Sequence, residues 1–377
     1  MSGRCPMLNR LDDDLRALQA ADQLRDLTIP AGMQLGSNDY LGLSTHPEIK
    51  AAIRGALDED GRVCSTGSRL LSGNHERWEQ LEAEFAKFVG AEAALYFPSG
   101  YAANIGLLSS ILQPEDTIFS DAANHASLID GIRLSPARRV IFPHLDIDYL
   151  HRALQQQKLP AGEKFIVVES IFSMDGDRAS VDELLALCER YGAWLIVDEA
   201  HSTGVDKPIR RTDRLLATVH TCGKALASMG AFVAGSSRLC DFLINHARTF
   251  IFTTALPPYC AAHVHAGIAL AREADGRRKH LLELSVHMRK RMKMLGFDIG
   301  RSDSQIVPLV LGSNETTLRF AKALSSSGFA VSAIRPPSVP VGTARLRLSL
   351  NTNLSFTDID SFLDALIETR DTELVRE

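Results

Sequence analysis

Between residues 92 and 235 short apolar runs recur with amphipathic stretches between them, and this alternation restricts the possible folds more than any other feature. The runs are Ala93–Phe97, Thr117–Phe119, Val140–Phe142, Phe165–Val168, Trp194–Val197 and Ala231–Ala234. Each is strand-sized, and continuous apolarity marks strands covered on both faces. Such strands separated by helical segments predict a largely parallel sheet with helices on both sides, an α/β fold. One intervening segment has capping-box spacing, with Ser180 and Glu183 ahead of Leu184, Leu185 and Cys188.

Around this region the pattern changes. Residues 8–28 read as a helical arm of mixed charge, Gly36–Ser44 as a turn-rich loop, and Pro47 as the opening of a helix running to about Leu57. Residues 62–74 are rich in Gly and Ser and read as loop; a helix follows with Trp78, Leu81, Phe85 and Phe88 on one face. From about residue 260 a long helical stretch leads into a smaller mixed unit with strands at Ile306–Leu311 and Ala344–Leu350. The expected organisation is an N-terminal arm (1–45), a large domain (46–260) and a smaller C-terminal domain (261–377).

A formal charge of −5 gives no electrostatic basis for nucleic-acid binding. The apolar runs are too short to cross a membrane, and residues 1–14 carry charges without an apolar signal core. Cysteines at 5, 64, 188, 222, 240 and 260 form no CxxC pair, so neither a zinc site nor a redox motif is expected. A cytoplasmic enzyme with reduced thiols is the expectation.

In open parallel sheets ligands gather at the carboxyl ends of strands. The run Trp194–Val197 ends in Asp198, and an acid buried there is costly unless it is paired with a cation. Further on stands Lys224, within Thr221-Cys222-Gly223-Lys224-Ala225-Leu226, a stretch of mostly small residues. Pyridoxal phosphate needs an amine for a Schiff base and an anion opposite its ring nitrogen, and this pair offers both. Each residue also has a plainer reading. Asp198 can cap the next segment or bind a metal, Lys224 can be a solvated lysine, and His201 a loop histidine satisfied by backbone.

Other residues fit the same chemistry. Ser99-Gly100-Tyr101-Ala102-Ala103-Asn104 is a glycine turn opening a helix, whose backbone N–H groups can cradle a phosphate, although any strand-to-helix turn looks alike. Thr221 can add a hydroxyl. His125 can stack on a pyridine face or simply belong to a polar helix start, and Ser173 follows another strand end. Arg345 and Arg347 share one strand face, placed either to hold a carboxylate or to form a solvated basic edge. No GxGxxG follows the first strand, Gly223-Lys224 lacks the P-loop spacing, and neither HExxH nor GxSxG occurs.

Several segments occur in one order: Asn38–Ser44, Gly67–Gly73, Gly100–Asn104, His125–Ser127, Phe172–Asp177, Val197–Gly204, Thr253–Pro258 and Ala333–Leu350. Together, from about residue 20 to 370, the chain resembles the α-oxoamine synthases, a branch of the fold-type I pyridoxal-phosphate-dependent transferases. The resemblance implies an α/β large domain with a mostly parallel seven-stranded sheet plus a smaller α+β C-terminal domain. It implies that Lys224 holds the cofactor covalently, Asp198 pairs with the pyridine nitrogen and His125 stacks on the ring. Ser173 and His201 would contact the phenolic oxygen. Gly100, Tyr101 and Thr221 would hold the phosphate, with Thr253 or Thr254 reaching in from a second subunit of a homodimer. Arg347 would bind the amino-acid carboxylate, Arg25 and Ser338 would line the acyl site, and Asn38 would lie near the amino acid.

The implied activity is the decarboxylative condensation of an amino acid with an acyl thioester. Within the family, the segment from Ala333 to Leu350 favours L-alanine and pimeloyl-CoA or pimeloyl-acyl-carrier protein, a step of biotin biosynthesis. Glycine acetylation, aminolevulinate formation and serine palmitoylation are the alternatives. The chain departs from the family pattern before Ser37, where a strand is expected to be missing. It also departs between Val205 and Thr221, where residues are deleted, and at Cys222-Gly223, where many relatives carry serine before the lysine. A non-catalytic protein retaining the fold is opposed by the presence of Lys224, Asp198 and His201. A nicotinamide dehydrogenase is opposed by the missing dinucleotide fingerprint.

Overall fold

The computed structural model describes residues 6–156 and 162–374; Cys5 lies outside them. The described residues form twelve strands. In chain order they are β1 (Met33–Gln34), β2 (Ala93–Phe97), β3 (Thr117–Asp121), β4 (Arg138–Phe142), β5 (Lys164–Glu169) and β6 (Ala193–Asp198). Then come β7 (Leu215–Thr221), β8 (Ala231–Gly235), β9 (Ile306–Gly312), β10 (Phe329–Ala330), β11 (Ser332–Ile334) and β12 (Ala344–Ser349).

The chain divides into two compact units, one of residues 38–173 and 177–280, the other of residues 1–37, 174–176 and 281–377. The divisions fall after Ser37 and His280 rather than at residues 46 and 261. The reason lies in the helix Pro258–Arg272, which packs on the helices Pro47–Asp60 and Glu76–Phe88 of the larger unit. The long helical stretch expected there is two helices, Pro258–Arg272 and Asp275–Met294.

The larger unit is built on a seven-stranded sheet in the order β2-β8-β7-β6-β5-β3-β4. β8 runs antiparallel to both of its neighbours, and the other pairs are parallel. Alternate residues of the apolar runs feed different cores. Phe165 and Val167 of β5 pack with Leu107, Leu108 and Ile196 on one face, whereas Ile166 and Val168 pack with Leu184, Leu195 and Val197 on the other. Burial on both faces is why these runs are apolar throughout. β7 escaped the sequence reading because Thr218 and His220 interrupt its apolar pattern.

The smaller unit holds an antiparallel sheet in the order β11-β12-β9 and a parallel pair, β1 with β10. Ahead of Ser37 the described residues hold a strand of two residues, β1, in which Met33 and Gln34 align with Phe329 and Ala330. The N-terminal helix spans Pro6–Ala20, short of residue 28, and Asp22 just beyond it adopts a positive φ of 53°. Ser180 stands at the N-cap of Val181–Tyr191 but makes no side-chain cap bond, so the capping box does not form. Its ψ of 80° lies outside the extended conformation usual for a capping serine.

Candidate active site

β2, β3, β5, β6 and β7 present their carboxyl ends at one edge of the large sheet, and five chemically active segments follow from that. β6 ends in Asp198 and its neighbour β5 ends in Glu169, the two acids standing in register. β2 leads through Ser99 into the helix Gly100–Ile111, and the Ser99 hydroxyl accepts from the Ala102 N–H, leaving the glycine turn open at the helix start. β3 leads to His125 at the start of Ala126–Leu134. β7 ends in Thr221, ahead of the loop that bears Lys224.

These segments enclose a cavity of about 160 Å³ lined by Gly100, Tyr101, Asn104, His125, Asp198, His201, Thr221 and Lys224, with Ser127 and Glu169 also in its wall. The structure thus brings together the lysine, the strand-end acid, the imidazole and the glycine turn expected to share a site. Ser173 is joined to it from below, its N–H donating to Glu169 Oε2 at 3.1 Å.

The Lys224 loop is held firmly. The Cys222 N–H donates to the Gly230 carbonyl, Ala227 N–H to the Lys224 carbonyl and Ser228 N–H to the Cys222 carbonyl. Ala227 adopts φ +47°, a left-handed conformation that is unusual for a residue with a Cβ. Behind the loop the helix Pro258–Arg272 comes so close that a Cβ on Gly267 would lie 2.3 Å from the Leu226 carbonyl oxygen.

Asp198 is 5% exposed. Its Oδ1 accepts from the Ala200 N–H at 2.8 Å and its Oδ2 from Asn104 Nδ2 at 2.7 Å. Burial pushes the Glu169 carboxyl up to about 8, the Asp198 charge adding to the effect and the Lys224 charge and the backbone N–H groups of Ser173 and His125 opposing it. Burial likewise holds His125 below the ordinary imidazole range; Asp198 opposes this and Lys224 reinforces it. His201 Nδ1 lies 2.6 Å from the hydroxyl of buried Tyr40, which also donates to Asn38 Oδ1 at 3.1 Å.

The wall fits pyridoxal phosphate. An amine, an acid able to face a ring nitrogen and an imidazole surround one small cavity, and a helix N-terminus with a threonine hydroxyl suits a phosphate. Among the described residues, the buried Asn104 Oδ1 and Glu169 Oε1 in this wall have no protein partner.

The remaining expected residues are not among those lining this cavity. Thr253 and Thr254 line a separate small cleft with Arg69, Trp78 and Phe250. Arg25, Ser338 and Arg347 belong to the smaller unit, where Arg25 Nη2 donates to Ser338 Oγ at 3.4 Å. Arg345 and Arg347 form no solvated basic edge, since each is 5% exposed. Arg345 is ion-paired with Asp175 at 2.6 Å, and Arg347 Nη1 donates to Ser349 Oγ at 2.6 Å.

His144 was not singled out from the sequence. Its Nδ1 bonds Asp121 Oδ1 at 2.8 Å and its Nε2 bonds Asp177 Oδ2 at 3.1 Å, with the ring edge-on to Phe172 at 4.4 Å. It ties the end of β3, ahead of His125, to the segment after Ser173. Burial disfavours its cation, but the two aspartates outweigh burial and push it from 6.5 up to about 10. Because the folded value lies above the unfolded one, its stabilisation is complete below pH 6.5 and is lost as pH rises through 10. The urea midpoint of His144→Gln should therefore fall well below wild type at pH 6, with the gap closing towards pH 10.5; a gap independent of pH would refute the charged pairing.

Comparison with known proteins adds to this geometry. The family model described as aminotransferase class I and II matches residues 30–366. An 8-amino-7-oxononanoate synthase from Geotalea daltonii is 41% identical over 377 residues, covering 94% of this chain and 96% of that protein. A serine palmitoyltransferase from S. paucimobilis with bound PLP–myriocin aldimine superposes with a TM-score of 0.89 at 26% identity, over 98% of each chain. An 8-amino-7-oxononanoate synthase from Francisella tularensis superposes with a TM-score of 0.78 at 28% identity, over 92% of this chain and 99% of that one.

Proposed function

The chain belongs to the class I and II aminotransferase family, within it to the α-oxoamine synthases, and we propose that it condenses L-alanine with a pimeloyl thioester to give 8-amino-7-oxononanoate. The single observation that carries this reading is the meeting of Lys224, Asp198 and His125 in one cavity, alongside 41% identity to a synthase of that name. The enzyme takes pyridoxal phosphate. When bound, this cofactor supplies an electron sink that stabilises negative charge at the amino acid's α-carbon.

The chain's residues do the rest. Lys224 holds the cofactor and then serves as base, its Nζ taking the Cα proton and later returning one. Asp198 would face the cofactor's ring nitrogen and favour its protonated form, and His125 would pack against the ring. His201 and Ser173 serve the phenolic oxygen, while Gly100, Tyr101 and Thr221 receive the phosphate. Arg347 is the partner for the alanine carboxylate, a role that suits a buried guanidinium. Arg25 and Ser338 serve the acyl chain, and Asn38 the amino acid. A C–C bond forms between the alanine Cα and the thioester carbonyl carbon, the C–S bond breaks to release a thiol, and the alanine carboxylate leaves as carbon dioxide.

The protein acts as a cytoplasmic homodimer whose partner contributes Thr253 or Thr254 to the phosphate. Large apolar side chains at Leu71 and Phe252, 83% and 70% exposed, support that assembly. The step belongs to biotin biosynthesis. Mass spectrometry of products from alanine, glycine and serine, each paired with pimeloyl, acetyl, succinyl and palmitoyl thioesters, tests the reading. The product from alanine and pimeloyl is expected to dominate on either CoA or acyl-carrier protein; glycine or serine as preferred amino acid would overturn the substrate assignment while leaving the cofactor chemistry intact.

A further inference from the structure

Two residues of the cavity wall that have no role in the reading above connect two that do. Asn104 and Ser127 are each 1% exposed. Asn104 Nδ2 lies 2.7 Å from Asp198 Oδ2 and 2.9 Å from Ser127 Oγ. Ser127 Oγ lies 2.8 Å from His125 Nδ1, and the same nitrogen accepts from the Ser127 backbone N–H at 3.2 Å.

The direction of every bond follows from what each group can do. A carboxylate only accepts, so the Asn104 amide turns its NH₂ towards Asp198. That NH₂ also donates to Ser127 Oγ, whose own proton is then given to His125. His125 Nδ1 already accepts from a backbone N–H and so must be a lone-pair nitrogen. A neutral imidazole with an unprotonated Nδ1 carries its proton on Nε2.

We propose that Asn104 and Ser127 are positioning residues forming a one-way hydrogen-bond relay from Asp198 to His125 that, together with the Ser127 backbone N–H, fixes His125 as the neutral Nε2–H tautomer so that it serves the site as a hydrogen-bond donor. The chemistry it would meet is an acceptor oxygen, the carboxylate of the amino acid or the carbonyl of the thioester. The relay itself rests only on bonds within the chain; its catalytic meaning rests on the function proposed above. Asn104 also orients the acid that faces the cofactor ring, so one amide couples the two sides of the cavity.

Nitrogen-15 NMR of histidine-labelled enzyme loaded with pyridoxal phosphate reads the tautomer directly, with His125→Gln identifying the signals. The expected wild-type pattern is an unprotonated Nδ1 and a protonated Nε2. In Ser127→Ala the backbone N–H still reaches Nδ1, so the tautomer should hold while the Nδ1 resonance shifts with loss of the hydroxyl's hydrogen bond, and turnover should fall about tenfold, the cost of one buried hydrogen bond. Ser127→Thr, which keeps the hydroxyl, should restore both, and the signals of buried His220 should stay in place throughout as a control on the fold. A wild-type His125 protonated on Nδ1, or a Ser127→Ala pattern identical to wild type, would overturn the proposal. The wild-type measurement alone decides the tautomer should a variant not fold. A chain that showed no cofactor absorbance would refute the proposed function, whereas the same spectra on the cofactor-free chain would still test the relay.

Discussion

Replacing Lys224 with alanine is expected to lower turnover by about five orders of magnitude, because in the function proposed one amine supplies both the covalent hold on the cofactor and the base that moves the α-proton. Groups that act as a unit with the lysine cannot make up its loss. Asp198 and His125 stay in the cavity wall and still bind, but neither is a nucleophilic amine. The substitution is also clean structurally. The loop is held by backbone bonds at Cys222, Ala227 and Ser228 and by the close approach of Gly267, none of which uses the lysine side chain. Two measurements check the result independently. Borohydride reduction followed by intact-mass analysis should add the cofactor's mass to the wild type and nothing to the variant. Turnover with alanine and pimeloyl thioester should vanish while the urea midpoint stays near wild type. Turnover within tenfold of wild type would mean that another group performs the proton transfer.

The parts of this molecule that the sequence made legible are those where a single local rule decides. β5 and β6 were legible because burial on both faces leaves an unbroken apolar run, and Asp198 because it ends such a run. Glu169 ends its run in the same way, so the signal that marked Asp198 was present for it too. What local pattern cannot reveal is a polar group satisfied by a distant partner. β7 carries Thr218 and His220, which break its periodicity, yet both are buried: His220 Nδ1 bonds Thr203 Oγ1 at 2.9 Å and its Nε2 bonds Thr218 Oγ1 at 2.7 Å. β1 is a strand only because residues almost three hundred positions away align with it. His144 lies in the turn just after β4, where nothing local marks it, and its two aspartates come from two other segments. Asn104 and Ser127 stood inside segments shared with the family, but which atom donates to which is a property of geometry alone. Ser180 shows the reverse error, a local rule satisfied in sequence and not used in the fold.

Asp198→Asn should reduce turnover by about a thousandfold, the size expected when a cation in a buried site loses its countercharge at a cost of several kcal/mol. The same change separates the two readings of this acid. If Asp198 merely capped the segment after β6, an amide oxygen in its place would still accept from the Ala200 N–H, and little would change beyond a few tenths of a kcal/mol. If it holds a proton on the cofactor ring, stability of the cofactor-free chain should stay near wild type while turnover collapses and the cofactor washes out more readily on dialysis. The relay predicts a further consequence. The new amide would turn an NH₂ towards Asn104, whose Oδ1 is the atom left without a partner in the native wall. Rotating Asn104 to meet it would put that oxygen against Ser127, which would then donate to Asn104 instead of His125. Asp198→Asn should therefore shift the His125 Nδ1 resonance as Ser127→Ala does, although the substituted residue touches His125 nowhere in the relay. A variant that lost turnover but kept the native His125 spectrum would uphold the ring-nitrogen role of Asp198 and break the connection to His125. A variant that kept turnover within tenfold would reduce Asp198 to a cap.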